Sequence, residues 1–281
     1  MNERVVTKAL SEKFRAYLYE EEKSENTIEK YLRDVRFFAE NVGNKKLHKS
    51  DVLEYKHTLC QRYAPRSVNS VISSLNAFFM FAEWYELKIK TLKIQKQIFA
   101  DKKRELEKSE YEKLLTAAKD KKNERLYYLM QTIASTGLRV SEIRYVTVDA
   151  VENGEAVINC KGKIRQVFLP KKLCGMLKKY VRSQGITKGS VFVSKNGNPL
   201  NRCNIWKMLK DLCESANVDK SKVFPHNFRH LFARTFYSLQ KDIVRLADIL
   251  GHSSINTTRI YTMETGEIHR RQIQHLGLLR C

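Results

Sequence analysis

Thr136-Gly137-Leu138-Arg139-Val140-Ser141-Glu142 closes one helical stretch and opens another. Upstream, Leu126, Leu129, Met130 and Ile133 recur at helical spacing, and Thr136-Gly137 stops that run. Gly137 suits the left-handed residue that ends a helix. A new helix is expected from Arg139 through Ile143. An arginine at such a start faces free backbone N–H groups, a setting that favours an anion. Glu142, three residues on, is placed to pair with an arginine or histidine and fix its orientation.

Downstream, β-prone segments are expected at Tyr145–Val148, Ala156–Cys160 and Gln166–Leu169. Asn153-Gly154 reads as a hairpin turn between the first two. Lys161-Gly162-Lys163 reads as a basic turn between the last two, and Cys160 as a buried strand residue. After Asn201 the pattern returns to helices at 201–216, 226–239, 242–250, 254–262 and 266–277. In Pro225-His226-Asn227-Phe228-Arg229-His230, His226 and Arg229 stand at i and i+3 and share a helix face. His230 reads as a packed helix residue. His252, in Leu250-Gly251-His252-Ser253, precedes Tyr261 by nine positions.

Toward the N-terminus, Leu114 and Leu115 lie on the first helix of this second part. Before it, Lys88, Lys90, Lys93, Lys96, Lys102, Lys103, Arg104 and Lys108 crowd a stretch without a clear apolar face. The expected division is a helical domain at 1–95, a basic linker at 96–108 and a second domain at 109–281. Within the first, Phe14, Tyr17 and Leu18 share a face. Ile28, Tyr31, Leu32, Val35 and Phe38 follow, ending near Val42-Gly43-Asn44. Ser50 or Asp51 can cap a third helix carrying Val52, Leu53 and Leu59. Pro65 opens a fourth that runs toward Trp84. Four helices of this length form a small bundle.

The 281 residues carry 52 Lys+Arg against 31 Asp+Glu, a formal net charge of +21. Residues 1–95 hold 17 basic against 13 acidic residues, whereas 96–281 hold 35 against 18. The second part therefore supplies most of the field, and a polyanion is the partner that such a tilt calls for. A hydrophobic fraction of 42% supports a real core and excludes a disordered tail. The six cysteines form no CxxC and no Cys/His group of zinc-ligand spacing, which fits a reducing cytoplasm. No signal-peptide core follows Met1, and no run of about 18 apolar residues exists to span a membrane.

Strand transfer at a phosphodiester needs three things: a nucleophile, cations around the transition state, and a proton for the leaving oxygen. Arg139 and Arg229 offer two permanently charged planar forks for non-bridging oxygens. With Lys161, His226, His252 and Tyr261 they form an ordered set. In that set the chain resembles the tyrosine recombinases, the integrase and Xer-like family of DNA strand-exchange enzymes. The resemblance spans nearly the whole chain and is strongest in the second domain.

It implies a mainly α fold with a small antiparallel β-sheet. A four-helix SAM-like core-binding domain would clamp DNA, joined to an α+β catalytic domain. It implies a 3′-phosphotyrosine link at Tyr261, with Lys161, rather than neighbouring Lys163, as acid to the 5′-oxygen. That link conserves the broken bond, so religation needs neither ATP nor metal, and no cofactor is expected. Double-stranded DNA with an inverted-repeat core site is the implied partner, bound by a homo-tetramer near the nucleoid in the cytoplasm.

The segment from Thr265 to Leu279, with Ile268, Ile273, Leu276 and Leu279 apolar, is expected as an amphipathic helix exchanged head-to-tail between protomers. The first bundle begins soon after Met1, so no accessory arm-binding module is expected. The run Arg259-Ile260-Tyr261-Thr262-Met263-Glu264-Thr265-Gly266 resembles integrases of Gram-positive mobile elements. Integration and excision are therefore favoured over Xer-type dimer resolution. A type IB topoisomerase-like relaxing enzyme and a non-catalytic architectural factor are the competing readings.

Overall fold

A computed structural model describes residues 4–43, 45–94, 104–160, 163–261 and 274–275. The chain separates into two compact units, Met1–Lys96 and Gln97–Cys281.

The first unit is built from α1 (Lys8–Glu20), α2 (Glu25–Val42), α3 (Lys49–Arg62) and α4 (Pro65–Phe81), followed by a 3-10 turn at Tyr85–Leu87. Phe14, Ile28, Val35, Phe38, Val52, Val68, Ile72, Leu75, Phe78 and Phe79 are fully buried between them. Gly43 ends α2 at φ 75. The third helix starts two to three residues earlier than a Ser50 or Asp51 cap implies. His48 is its N-cap, and Asp51 returns a bond to the His48 N–H as the N3 partner of a capping box.

After α4 the chain runs back along the bundle, held by two asparagines. The Asn76 side chain donates to the Ile89 carbonyl at 2.8 Å and accepts from the Ile89 N–H at 3.0 Å. Asn69 does the same for Leu92, at 3.0 and 2.7 Å. An amide side chain carries one acceptor and two donors, so each asparagine imitates a β-partner for one residue. Residues 88–92, expected within the basic stretch, thus belong to the bundle, with Leu87 and Ile89 in its core.

The second unit opens with α5 (Lys108–Asp120) and α6 (Glu124–Thr136). Residues 104–107, expected in the linker, pack on this unit: Leu106 is completely buried in its core. A six-residue 3-10 segment at Val140–Tyr145 replaces the expected helix after Arg139. The strand expected at Tyr145–Val148 is absent as a strand. Thr147 makes an isolated bridge to Ser190, and its hydroxyl caps α7 (Val148–Asn153) by accepting from the Ala150 N–H. Gly154, at φ 77, therefore ends a helix rather than turning a hairpin. Asn-Gly serves both purposes because both need a left-handed residue.

The hairpin itself joins β1 (Glu155–Cys160) to β2 (Lys163–Phe168), in register from Glu155↔Phe168 to Cys160↔Lys163. Lys161 and Gly162 fall between them, outside the described residues. On the inner face Ala156, Ile158 and Val167 are buried. Arg165 shares that face by the two-residue period of a strand.

An amphipathic helix not anticipated between the strands and Asn201, α8 (Lys171–Ser183), buries Leu173, Leu177 and Tyr180. Then come α9 (Arg202–Ala216), α10 (Pro225–Gln240), α11 (Ile243–Leu250) and α12 (Ile255–Thr258), ending in a 3-10 turn at Arg259–Tyr261. The helix expected at 266–277 lies almost wholly outside the described residues. None of the described helices is long and apolar enough to cross a membrane.

Candidate active site

Pro225 takes the first turn of α10, where its missing N–H costs nothing. One turn on, Arg229 points inward and is only 1% exposed. Its guanidinium donates to the Gly137 carbonyl at 2.5 Å and the Leu250 carbonyl at 2.8 Å, and meets His252 Nε2 at 2.9 Å. Burial, then the neighbouring Arg139, pulls its pKa down to about 10, with the Tyr261 phenol and the Glu142 carboxylate opposing. It remains a cation at neutral pH.

The end of α11 organises the rest. A helix leaves its last carbonyls without intrahelical partners, and their dipoles favour cations. Here three successive carbonyls each receive a different arginine. Ile249 accepts from Arg165 at 2.7 Å, Leu250 from Arg229 at 2.8 Å, and Gly251 from Arg139 at 3.2 Å. Neutral dipoles thus gather three guanidiniums without cancelling their charge.

Among the described residues, the carboxylate bridging this cluster is Glu142, 3% exposed. It lies 2.9 Å from Arg139 Nη1 and 2.7 Å from Arg165 Nη2. Burial pushes the Glu142 carboxyl up. The Arg139 N–H and the two arginine side chains outweigh that and hold it below the usual range. Glu142 accepts the Arg139 N–H at 2.8 Å, so the segment is capped by its own side chain. The expected anion pocket of free helix N–H groups is therefore replaced by the half-exposed Arg139 guanidinium.

Gly137 has two reasons to be glycine. Its φ is +66, and an added Cβ would lie 2.6 Å from the Phe232 ring. Gly251 repeats the pattern, with φ +62 and an added Cβ at 2.6 Å from the Arg165 side chain. Both glycines let α6 and α11 end flush against the arginines.

His252 Nδ1 is 2.8 Å from Thr258 Oγ1. Arg229 has only donors, so Nε2 of His252 accepts and Nδ1 carries the proton toward Thr258. Burial, then Arg229, lowers the His252 pKa to about 4. Tyr261 is 5% exposed and packs with Leu246 and Leu250. Its ring stacks on His252 at 6.1 Å between centroids and meets His230 edge-on at 4.9 Å.

His226 crosses His230 at 4.5 Å. One side of His226 faces solvent, yet desolvation, then Arg229, Arg139 and Arg202, lowers its pKa. His230 has an unpartnered buried Nε2, and burial, then His226, lowers its pKa to about 3.

Arg139, His226, Arg229, His252 and Tyr261 thus converge from separated stretches of chain. Lys161 lies outside the described residues. Arg165, Arg202 and Thr258 went unread in the sequence. A charged residue in step with Val167 on the inner strand face was the available signal for Arg165.

Residues 104–267 match the Phage integrase family, and residues 12–86 match the phage integrase N-terminal SAM-like domain. Tyrosine recombinase XerA of Pyrococcus furiosus is 30% identical, over 99% of this chain and 98% of that protein. TnP I resolvase of Bacillus thuringiensis is 28% identical, over 90% and 94%. The crystal structure of a lambda integrase tetramer bound to a Holliday junction superposes with a TM-score of 0.74 at 15% identity, covering 92% of this chain and 77% of that one. The likeness of fold, the full-length kinship and the two domain matches agree with the arginine cluster beside Tyr261: the chain belongs to the phage integrase family of tyrosine recombinases, enzymes that cleave and rejoin DNA.

Proposed function

We propose that Arg139, Lys161, His226, Arg229, His252 and Tyr261 carry DNA cleavage, with Tyr261 as nucleophile. The observation that carries this reading is the burial of Tyr261 against His252 and Arg229 of its own chain. Tyr261 attacks the scissile phosphorus and forms the 3′-phosphotyrosine. Arg139 and Arg229 hold the non-bridging oxygens and stabilise the charge that builds in the transition state. Neutral His226, open to solvent on one side, is suited to accept the phenolic proton, while His252, tied to Arg229 and Thr258, stays neutral and holds the Tyr261 ring. Lys161 gives a proton to the departing 5′-oxygen. A 5′-hydroxyl from the partner duplex reverses the step on a new strand.

The substrate in this reading is a short core site with two inverted half-sites, gripped by the helical unit and the basic catalytic unit, in the cytoplasm. Four protomers assemble on two such duplexes, by analogy with the lambda integrase tetramer bound to a Holliday junction. The tail from Thr265 onward docks on a neighbour. An apolar cleft lined in part by Leu173, Met176, Leu231, Phe232, Phe236 and Leu239 fits an amphipathic helix carrying Ile268, Ile273, Leu276 and Leu279. The tail sequence around Tyr261 supports integration and excision of a mobile element. End-to-end kinship with XerA supports Xer-type dimer resolution as the second reading.

A suicide substrate nicked beside the cleavage point tests the chemistry. The wild type should trap a covalent adduct, and Tyr261→Phe should bind the DNA and trap none. An adduct in that variant, or none in the wild type on DNA recovered with it, would remove the reading. Deleting residues 266–281 should abolish exchange between duplexes and spare binding to a single site.

A further inference from the structure

We propose that Arg165 is a positioning residue for strand cleavage. It acts by holding one oxygen of Glu142 away from the Arg139 guanidinium and by tying the hairpin to the end of α11, just before His252.

The geometry is a chain of shared groups. Arg165 rises from the inner face of β2 and sends its two terminal nitrogens in different directions. Nη2 meets Glu142 Oε2 at 2.7 Å, and Nη1 donates to the Ile249 carbonyl at 2.7 Å. Its stem lies over Gly251, where any Cβ would collide with it. Gly251 in turn accepts from Arg139, and the next residue is His252. Arg165 therefore touches the carboxylate that orients Arg139 and the two backbone positions that flank the carbonyl taken by Arg229.

The consequence is electrostatic. Glu142 is buried and ionised, and a lone Arg139 opposite it would form a compact neutral pair. Such a pair attracts a phosphate poorly. With Arg165 on the second oxygen, the carboxylate is shared, and Arg139 keeps much of its field for an incoming anion. Arg165 gives one terminal nitrogen to the Glu142 carboxylate and the other to the Ile249 carbonyl, so its charge is directed at Glu142 and not at the phosphate. Its place four residues past Lys161 means that the same anchor holds the root of the hairpin.

This inference rests on reading Arg139 as a phosphate clamp, and the experiment separates the two. Single-turnover adduct formation on the nicked substrate is measured for the wild type, Arg165→Met, Arg165→Lys, Glu142→Gln, the double variant Arg165→Met/Glu142→Gln, and Arg139→Ala. DNA affinity and thermal melting are followed in parallel. Arg165→Met should slow cleavage by about 10- to 100-fold, the usual range for a residue acting through another. Its DNA affinity should stay close to wild type.

The decisive result is the double variant. With Glu142 uncharged there is nothing left to neutralise Arg139, so the double variant should cleave faster than Arg165→Met alone. A merely structural role predicts the reverse, because two lost contacts add. Arg165→Lys keeps the charge near Glu142 and should recover part of the rate. A scissile methylphosphonate, whose non-bridging oxygen has lost its charge, should shrink the Arg165→Met defect. An equal defect on both substrates, or a slower double variant, overturns the proposal. If Arg165→Met melts far below the wild type, the Arg165→Lys and double-variant rates decide alone. Undiminished cleavage by Arg139→Ala would instead overturn the underlying assignment of Arg139.

Discussion

Arg229 and His252 face each other at 2.9 Å, a guanidinium donating to an imidazole nitrogen. A protonated imidazole would turn this contact into a clash of two donors. The pair is therefore compatible only with neutral His252, its remaining proton directed to Thr258. Nothing in the spacing of residues 229 and 252 announces this. It arises because α10 and α11 pack so that the end of one meets the interior face of the other. It also means that the site, without DNA, is a set of cations around uncharged histidines.

That arrangement has a pH signature in stability. An unfolded histidine titrates near 6.5, whereas burial lowers His252 to about 4 and His230 to about 3 in the folded chain. Between those values the unfolded state binds more protons, so stability must fall as pH drops from about 6.5 toward 3. Each such proton adds at most about 1.4 kcal/mol per pH unit to the slope. Urea midpoints at pH 7 and pH 5 should differ, and His230→Gln should flatten the dependence. A midpoint independent of pH over this range would contradict neutral burial of the two rings.

Replacing Arg229 by lysine should be far from conservative. One ammonium cannot satisfy Gly137, Leu250 and His252 from a single point, whereas the planar fork does. Arg229→Lys is expected to lose about 100-fold or more in adduct formation, the scale set by loss of one transition-state donor. Gel-shift affinity for the duplex should change little, since Arg229 is buried.

The two reasons for glycine at position 137 can be separated. Gly154→Ala meets only backbone strain, because its φ is +77 and nothing lies within 4 Å of the added carbon. Gly137→Ala meets similar strain and also the Phe232 ring. The first should cost about 1 kcal/mol. The second should cost about 1–3 kcal/mol more by overpacking. Paired thermal melts would show it, and an equal loss at both sites would refute the steric part.

The return of the chain along the first unit depends on two amides. Asn69→Ala or Asn76→Ala should each remove a donor and an acceptor for one backbone residue. The expected loss is about 1–2 kcal/mol, close to the cost of an unpaired polar group. Hydrogen exchange should speed up at the Leu92 amide in the first variant and at the Ile89 amide in the second. Unchanged protection at either amide would show that water or a neighbour replaces the side chain.

Much was legible in the linear pattern because its causes are local. Helical periodicity marked α2, α4, α6 and α9 to within a few residues, and the basic excess pointed to a polyanion before any fold was considered. Local cues failed where two structures share them. Asn153-Gly154 fits a hairpin and a helix end equally, and it became the latter because Thr147 caps α7 just before it. The short apolar run from Tyr145 became a bridge and a helix: Val146 is buried in the core, and Thr147 bridges to Ser190 while its hydroxyl caps α7.

The ordered residues from Arg139 to Tyr261 could be picked out one by one because residue type and local context carry their chemistry. Their chain positions do not say how charge is shared among them. The link of Arg165 to Glu142 spans 23 residues and that of Arg165 to Ile249 spans 84. No periodicity extends so far. The carbonyls of Ile249, Leu250 and Gly251 carry no side-chain identity at all, so their role as the seat of three arginines appears only when packing brings α11 against β2 and α10. Residue types are written locally, while electrostatic balance is a property of distances, and distances across a core are settled by folding.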